Sequence, residues 1–339
     1  MGNKKFDIAL NSFLPDLLNG LEDKGISIHK YLKNSFYRKL DLYDPNSYIP
    51  IILLEEILID IKNDVGLSNF SSDFGKHFKS TTMGDFSKHF YQSPNFLTLL
   101  DETTKYQRYI RSNYEVKLDI NGPVSRYSVK IVEAPSQGKL VCEEIDIMRI
   151  LDAFRIAFGP KFLPLEIGIT GKKTKNLHTI LPLGDYKVKL NQDESWVLFN
   201  SNLLSKKNEI ILPNSSIDNI VKSNNPVSFR IEMMLDSFQT GHIPNMEELA
   251  VLFDISRRTL ERKLLNEGSN FAIIKEKYLL RKSFELLQDS KLSVKEIAEQ
   301  LNYSNSQNYI RRFKAWTSTT PSKYRLSMSQ NDYSLVQTK

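Results

Sequence analysis

Two short runs rich in Arg, Lys, Gln and Asn, each following a small polar residue, are the parts of this 339-residue sequence best suited to chemistry. One lies in residues 246–265, MEELAVLFDISRRTLERKLL, and the other in residues 294–315, VKEIAEQLNYSNSQNYIRRFKA. Guanidinium and ammonium groups donate to phosphate and to guanine edges, side-chain amides pair with adenine, and a carboxylate accepts from cytosine. That is the chemistry of a protein that reads double-stranded DNA. The elements that must hold it are legible in the same segments: apolar residues at helical spacing, a small Ala where two helices cross, a turn, and a polar cap opening a basic second helix. This is a helix-turn-helix signature, present twice.

The repeat can be followed by offset, since Glu248-Leu249-Ala250 recurs as Glu296-Ile297-Ala298 and Leu260-x-Arg262 as Tyr309-x-Arg311, with one residue added across the second turn. Asp254 and Asn302 stand at the bends, where Gly is usual; Asp and Asn are the next most tolerant of positive φ. Ser256 is expected to cap the second helix of the first unit, and Ser304 or Asn305 that of the second. Between the units, residues 271–287 carry apolar side chains at Ile274, Tyr278, Leu279, Phe284 and Leu287 on strong helix formers. At roughly 1.5 Å per residue such a helix is a rod of roughly 25 Å. With the bodies of the units added, it predicts recognition helices about 34 Å apart, one turn of duplex.

The run from Pro244 through Arg325 resembles the DNA-binding domain of the AraC/XylS family of bacterial transcription regulators. The likeness takes in SRRTLERKL, the connecting helix, VKEIAEQLNYSNSQNYIRRFKAWT, and the ending Thr320-Pro321-Ser322-Lys323-Tyr324-Arg325, which is similar to the family's P-x-x-Y-R terminator. Carried over by position, the resemblance implies base reading by Arg258, Glu261 and Arg262 in the first unit and by Ser306, Gln307, Asn308 and Arg311 in the second. Arg257, Lys263, Arg312 and Lys314 are placed for phosphate, with the caps Ser256 and Asn305 beside them. The same basic residues would suit the solvated face of a surface helix; two capped units at this spacing favour DNA. The partners implied are promoter DNA and RNA polymerase.

Length suggests two domains, and a hydrophobic content of 40% is enough for substantial cores. Residues 226–339 hold 17 Lys or Arg against 13 Asp or Glu, and residues 1–225 hold 29 against 27, so the net charge of +6 divides as +4 and +2. Clustering on the two basic helices therefore matters more than the sum. The single cysteine, Cys142, excludes an intramolecular disulfide and a Cys-based zinc site, and reads as a small buried residue. No secretory signal stands out at Met-Gly-Asn-Lys-Lys-Phe-Asp, and apolar runs such as residues 49–61 are short and interrupted by Glu55, Glu56 and Asp60. A cytoplasmic protein without membrane contact is expected.

The region before the basic units reads as mixed α and β. Helices are expected over residues 48–61, 95–110 and 144–158. Alternating strands are expected over 114–120 and 126–132, with Asn121-Gly122 as the hairpin turn, and over 165–170, 186–190 and 195–199. This order, with the pieces Asp73-Phe74-Gly75 and GDFSKHFYQSP at 84–94, is similar to the ornithine-regulator-like, arabinose-binding-like amino-terminal effector domain of a subgroup of the same family. The resemblance implies a domain that senses a small molecule or makes a homodimer, and it assigns no effector-binding residue. The fold expected is an α+β amino-terminal domain followed by an all-α domain of two helix-turn-helix units joined by a long helix. Its divisions are an effector or oligomerisation domain at 1–205, a linker at 206–226, the DNA-binding domain at 227–328 and a flexible tail at 329–339.

Other constellations lack the companions that catalysis needs. Asp73-Phe74-Gly75 matches a kinase metal-binding triplet without the accompanying loop, lysine or catalytic motif. His77 and His89 lie in near-duplicate phrases but lack an i, i+4 His pair or a Cys cluster. Gly171-Lys172-Lys173-Thr174 lacks the spacing of a phosphate loop, and no motif frames a nucleophilic serine. No enzyme activity, cofactor or metal is expected. The sequence thus predicts an effector-controlled DNA-binding regulator of the AraC/XylS type. The alternatives are a ligand-independent dimeric regulator, or a small-molecule receptor or enzyme whose tail binds DNA incidentally.

Overall fold

A computed structural model describes residues 6–33, 35–65, 74–132, 136–171, 186–210, 212–213, 226–288 and 291–336. Asp73, the run Lys172-Lys173-Thr174 and much of the expected linker lie outside the described residues. The chain divides into two compact units, the first of Met1–Asn225 together with Leu252–Asp254 and the second of Pro226–Val251 together with Ile255–Lys339. The architecture is α+β in the first unit and helical in the second, as the sequence predicts.

In the amino-terminal unit, strand β1 (Ile8–Leu10) pairs antiparallel with β2 (Tyr48–Pro50). Helix α1 (Leu14–Glu22) lies between these strands in the sequence, and helices α2 (Ile51–Val65), α3 (Gly84–Tyr91) and α4 (Phe96–Ile110) follow them. Residues 48–61 are therefore not one helix. Pro50 disfavours helical backbone at the residue before it and cannot donate to a preceding turn, so the helix starts just after it. Strands β3 (Tyr114–Asn121) and β4 (Val124–Ile131) follow, then helix α5 (Gln137–Phe158), β5 (Glu166–Gly168), β6 (Lys187–Lys189) and β7 (Ser195–Asn200). They form a five-stranded sheet in the order β3-β4-β7-β5-β6, with β5 and β6 parallel and the other neighbours antiparallel.

The hairpin turn differs by one residue from the expected one. Asn121 pairs with Val124, which leaves Gly122 and Pro123 as the loop, with Gly122 at φ 61. Had Asn121 and Gly122 made the loop, Pro123 would have occupied a ladder position without a donor. Helix α5 begins earlier than expected because the Ser136 side chain caps it by accepting from the Lys139 backbone N–H. It lies close against α2 at Gly138, where an added Cβ would come within 2.4 Å of the Glu55 Cβ. That proximity serves a buried ion pair, since Glu55 Oε1 lies 3.3 Å from Arg111 Nη2 with both side chains almost fully enclosed. His89 bonds Glu102 at 2.8 Å and packs edge-on against Tyr106.

The carboxy-terminal unit contains α6 (Val227–Leu235), α7 (Met246–Leu252), α8 (Arg257–Asn266), α9 (Phe271–Gln288), α10 (Val294–Gln300), α11 (Ser306–Thr317) and α12 (Pro321–Val336). Helix α9 is the expected connecting rod, 18 residues or about 27 Å long. Helix α6 packs along it and is fixed at both ends: the Val227 and Ser228 N–H groups donate to Glu267, at 3.0 and 2.9 Å, and Asp236 pairs with Arg281 and Lys282 at 2.6 and 2.8 Å. Helix α12 continues to Val336, through most of the segment expected as a tail. No helix among the described residues is long and apolar enough to cross a membrane.

Candidate nucleic-acid interface

Both units are built by the same local devices. Helix α7 starts on a reciprocal cap, in which Asn245 Oδ1 accepts from the Glu248 N–H and Glu248 Oε2 accepts from the Asn245 N–H, each at 2.9 Å. Ser293 and Glu296 make the equivalent capping box at α10, at 3.2 and 2.7 Å. At the end of α7, Asp254 takes φ 49; at the end of α10, Asn302 takes φ 60. The next residue then folds back, Ile255 N–H to Ala250 O and Tyr303 N–H to Ala298 O, both at 2.9 Å. The left-handed bend turns each chain sharply enough for a second helix to cross the first.

The second helices open on side-chain caps. Ser256 accepts from the Thr259 N–H at 3.2 Å, and Asn305 Oδ1 accepts from the Asn308 N–H at 2.9 Å. Of the two candidates for the second cap, it is therefore Asn305 that fills the role. Ser304 is the added residue, and its Oγ accepts from Asn308 Nδ2 at 2.9 Å. Buried anchors set the rotation of each helix: Leu260 and Leu264 in α8, Tyr309 and Phe313 in α11. Fixing those faces inward turns the intervening polar residues outward.

Ser256, Arg257, Arg258, Glu261, Arg262, Asn305, Gln307, Arg311, Arg312 and Lys314 are exposed; Lys263, Ser306 and Asn308 are half-buried. Their partners differ in ways that matter for an anionic ligand. Arg257 is held between two carboxylates, with Nε 2.6 Å from Glu261 and Nη1 against Glu247. Hydrogen bonds to Glu261 and then to Glu247 raise the Arg257 guanidinium above its ordinary value. Arg312 pairs with Glu276 at 2.7 Å, and Trp316 Nε1 donates to the same carboxylate oxygen at 2.5 Å. Arg311 Nη2 donates to Asn308 Oδ1 at 3.2 Å. Among the described residues no ion pair holds Arg258, Arg262, Arg311 or Lys314. Those cations are free to meet phosphate or base edges, whereas Arg257 and Arg312 must first leave a carboxylate.

The terminal motif has a structural account. Pro321 opens α12, where its missing N–H costs nothing. The Tyr324 ring packs on Phe284 and Phe313, with centroids 4.9 and 5.7 Å away. Arg325 Nε donates to Leu287 O at 3.2 Å, satisfying a carbonyl in the last turn of α9. The motif thus closes the core of Leu279, Leu287, Ile297, Leu301, Tyr309 and Phe313 beneath the second unit.

Sequence reasoning missed the carboxylates that restrain this surface, Glu247 and Glu276, and the cap on α6 by Glu267. The capping boxes carried a readable signal, Asn245-x-x-Glu248 and Ser293-x-x-Glu296 before apolar runs. The contact of Glu276 with Arg312 joins distant residues, for which no local pattern exists.

Residues 249–327 match the family described as a helix-turn-helix domain. The chain is 30% identical over 98 residues to the HTH-type transcriptional regulator VqsM of Pseudomonas aeruginosa, over 29% of this chain and 30% of that protein. It is 32% identical over 85 residues to the ornithine utilization regulator of the same species, over 25% of each. The chain therefore spans less than a third of the length of these curated relatives, 30% and 25%. Among solved structures, it is similar to the transcriptional regulator CdpR from Pseudomonas aeruginosa, with a TM-score of 0.41 at 16% identity over 92% of this chain and 96% of that one. It is also similar to a DNA-binding transcriptional dual regulator from Escherichia coli K-12, with a TM-score of 0.31 at 17% identity over 32% of this chain and 98% of that one. With its tandem capped units and P-x-x-Y-R ending, the carboxy-terminal unit carries a helix-turn-helix domain of the AraC type.

Proposed function

We propose that the protein is a bacterial transcription regulator that binds promoter DNA through both helix-turn-helix units and acts in the cytoplasm. The observation that carries this reading is the pair of capped helices α8 and α11, each anchored by buried apolar residues and presenting exposed cations to solvent. Arg258, Glu261 and Arg262 read bases in one major-groove segment, and Ser306, Gln307, Asn308 and Arg311 read the next. Ser256, Arg257, Lys263, Asn305, Arg312 and Lys314 hold the phosphates and set the register. The amino-terminal unit senses a small molecule that binds one state of the protein better than another and so shifts its population. A cavity inside that unit supports the sensing role. Homodimerisation through the same unit and contact with RNA polymerase complete the proposal.

The test is recovery of sheared genomic DNA from the source organism on the purified protein at about 0.15 M salt, where nonspecific phosphate binding is weakened. The expected result is enrichment of a few fragments bearing two short elements about 10 base pairs apart. Uniform recovery at every salt concentration would remove the claim of sequence reading.

A further inference from the structure

Helices α3, α4 and α5 and strands β3 and β4 of the amino-terminal unit line a cavity with about 110 Å³ of room for the centres of water-sized molecules. Its wall is largely apolar, and its polar side chains are for the most part already bonded to one another. Tyr127 and Thr103 share a hydroxyl contact at 2.7 Å, Ser80 and Tyr91 share one at 2.6 Å, and Arg111 is engaged by Asn113 and Glu55. Two lining residues on α5 are not fully satisfied. Asp146 Oδ1 accepts from the Tyr114 hydroxyl at 2.5 Å, while among the described residues its buried Oδ2 has no hydrogen-bond partner. Arg149, only 7% exposed, spends its Nη1 on Ser12 Oγ at 2.8 Å and its Nη2 on the Ser12 carbonyl and on Asp16 at 3.2 Å, while its buried Nε has no hydrogen-bond partner among the described residues.

Asp146 and Arg149 lie three residues apart on α5 and therefore share a face. Arg149 is already ion-paired with Asp16 at 3.2 Å, so this face offers an acceptor and a donor without calling for a charged ligand. A buried polar atom without a partner is costly, and these two have complementary roles, one accepting and one donating. A hydroxyl combines both functions, with a hydrogen to give to an acceptor such as Asp146 Oδ2 and a lone pair to take one from a donor such as Arg149 Nε. The remaining wall would cover an aliphatic or aromatic body.

We propose that this cavity is the effector site and takes a small neutral molecule with an apolar body and a terminal hydroxyl held between Asp146 and Arg149. The inference rests on the reading of this unit as a sensor.

The experiment is calorimetric titration of the full chain with 3-phenylpropan-1-ol, 3-phenylpropylamine and 3-phenylpropionate. Saturable binding of the alcohol is expected, with the two charged analogues at least tenfold weaker. Asp146→Ala removes the acceptor, and Ala153→Leu narrows the cavity without altering either polar atom; each is expected to weaken the alcohol at least tenfold. Equal affinity for all three probes, no binding of the alcohol, or unchanged affinity in both variants overturns the proposal. Titration of the same preparation with DNA keeps the two readings apart. Selective DNA binding without alcohol binding removes the effector site alone, and alcohol binding without selective DNA binding removes the regulator alone.

Discussion

Arg257 Nε lies 2.6 Å from Glu261 Oε1, one turn along the first recognition helix, and the same guanidinium reaches back to Glu247 on α7. On the proposed reading, a cation assigned to phosphate is thus held in the unbound protein by a carboxylate assigned to a base. Glu261→Gln should loosen that hold, leaving Glu247 as the remaining carboxylate partner, and remove a negative charge from the proposed DNA-facing surface. Nonspecific affinity is expected to rise roughly threefold to tenfold with a steeper salt dependence, and base preference should change at one position. Titrations of random-sequence DNA at several salt concentrations measure the first effect, and selection from a degenerate site measures the second. Unchanged behaviour in both would place Glu261 outside the interface.

Among the described residues neither Arg258 nor Arg311 has a carboxylate to leave, and Arg311 gives only one N–H to Asn308, so most of their donor capacity is open to a base. Replacing either by Ala should cost about 1 to 3 kcal/mol on the cognate site and relax preference at one base pair. Equal weakening on every sequence would reassign the residue to phosphate.

Asn302 sits at φ 60 at the end of α10, a conformation that costs a residue with a Cβ about 1 kcal/mol or more unless its side chain compensates. Asn302→Ala should therefore destabilise the protein by about 1 kcal/mol, while Asn302→Gly should leave it as stable or slightly more so. Urea denaturation of the three proteins decides this. Equal losses in both variants would show that the Asn side chain, and not the backbone, carries the effect.

The Glu296 carboxyl is held below its ordinary value by the Ser293 side chain and then by the Ser293 backbone N–H. Its folded value is the depressed one, so the stability it supplies is present above the ordinary value of 4.5 and is lost as pH falls through the lowered folded value. Gln can occupy the same capping box without titrating. Glu296→Gln should therefore flatten the loss of stability below about pH 4.5 while leaving the helix capped, as followed by thermal melts between neutral and acid pH. An identical acid profile would remove Glu296 from the account.

The carboxy-terminal unit is legible in the sequence because its determinants are local and occur twice. Buried anchors recur in both helices, tolerant residues stand at both bends, and caps precede both basic runs. The repeat even shows where a residue is added, although choosing between Ser304 and Asn305 required knowing which side chain meets the Asn308 N–H. In the front unit the periodicities locate most helices and strands, but registers depend on prolines whose effect reaches their neighbours, as at Pro50 and Pro123. The cavity has no local signature at all. Arg149 is positioned by Ser12 and Asp16, and Asp146 by Tyr114, residues brought together only by folding.

The extra residue Ser304 also limits how the two halves of the domain can be exchanged. Positions counted from the bends fall out of step once the second helices begin, so a recognition surface transplanted by that count would turn by about 100° around its axis and carry apolar anchors into solvent. Counted from Leu260 and Tyr309, the anchors align and Arg262 falls on Arg311. Engineered exchanges of specificity between the units therefore have to preserve the distance to the core and let the turn vary, the same allowance that lets two copies of one motif drift apart without losing their fold.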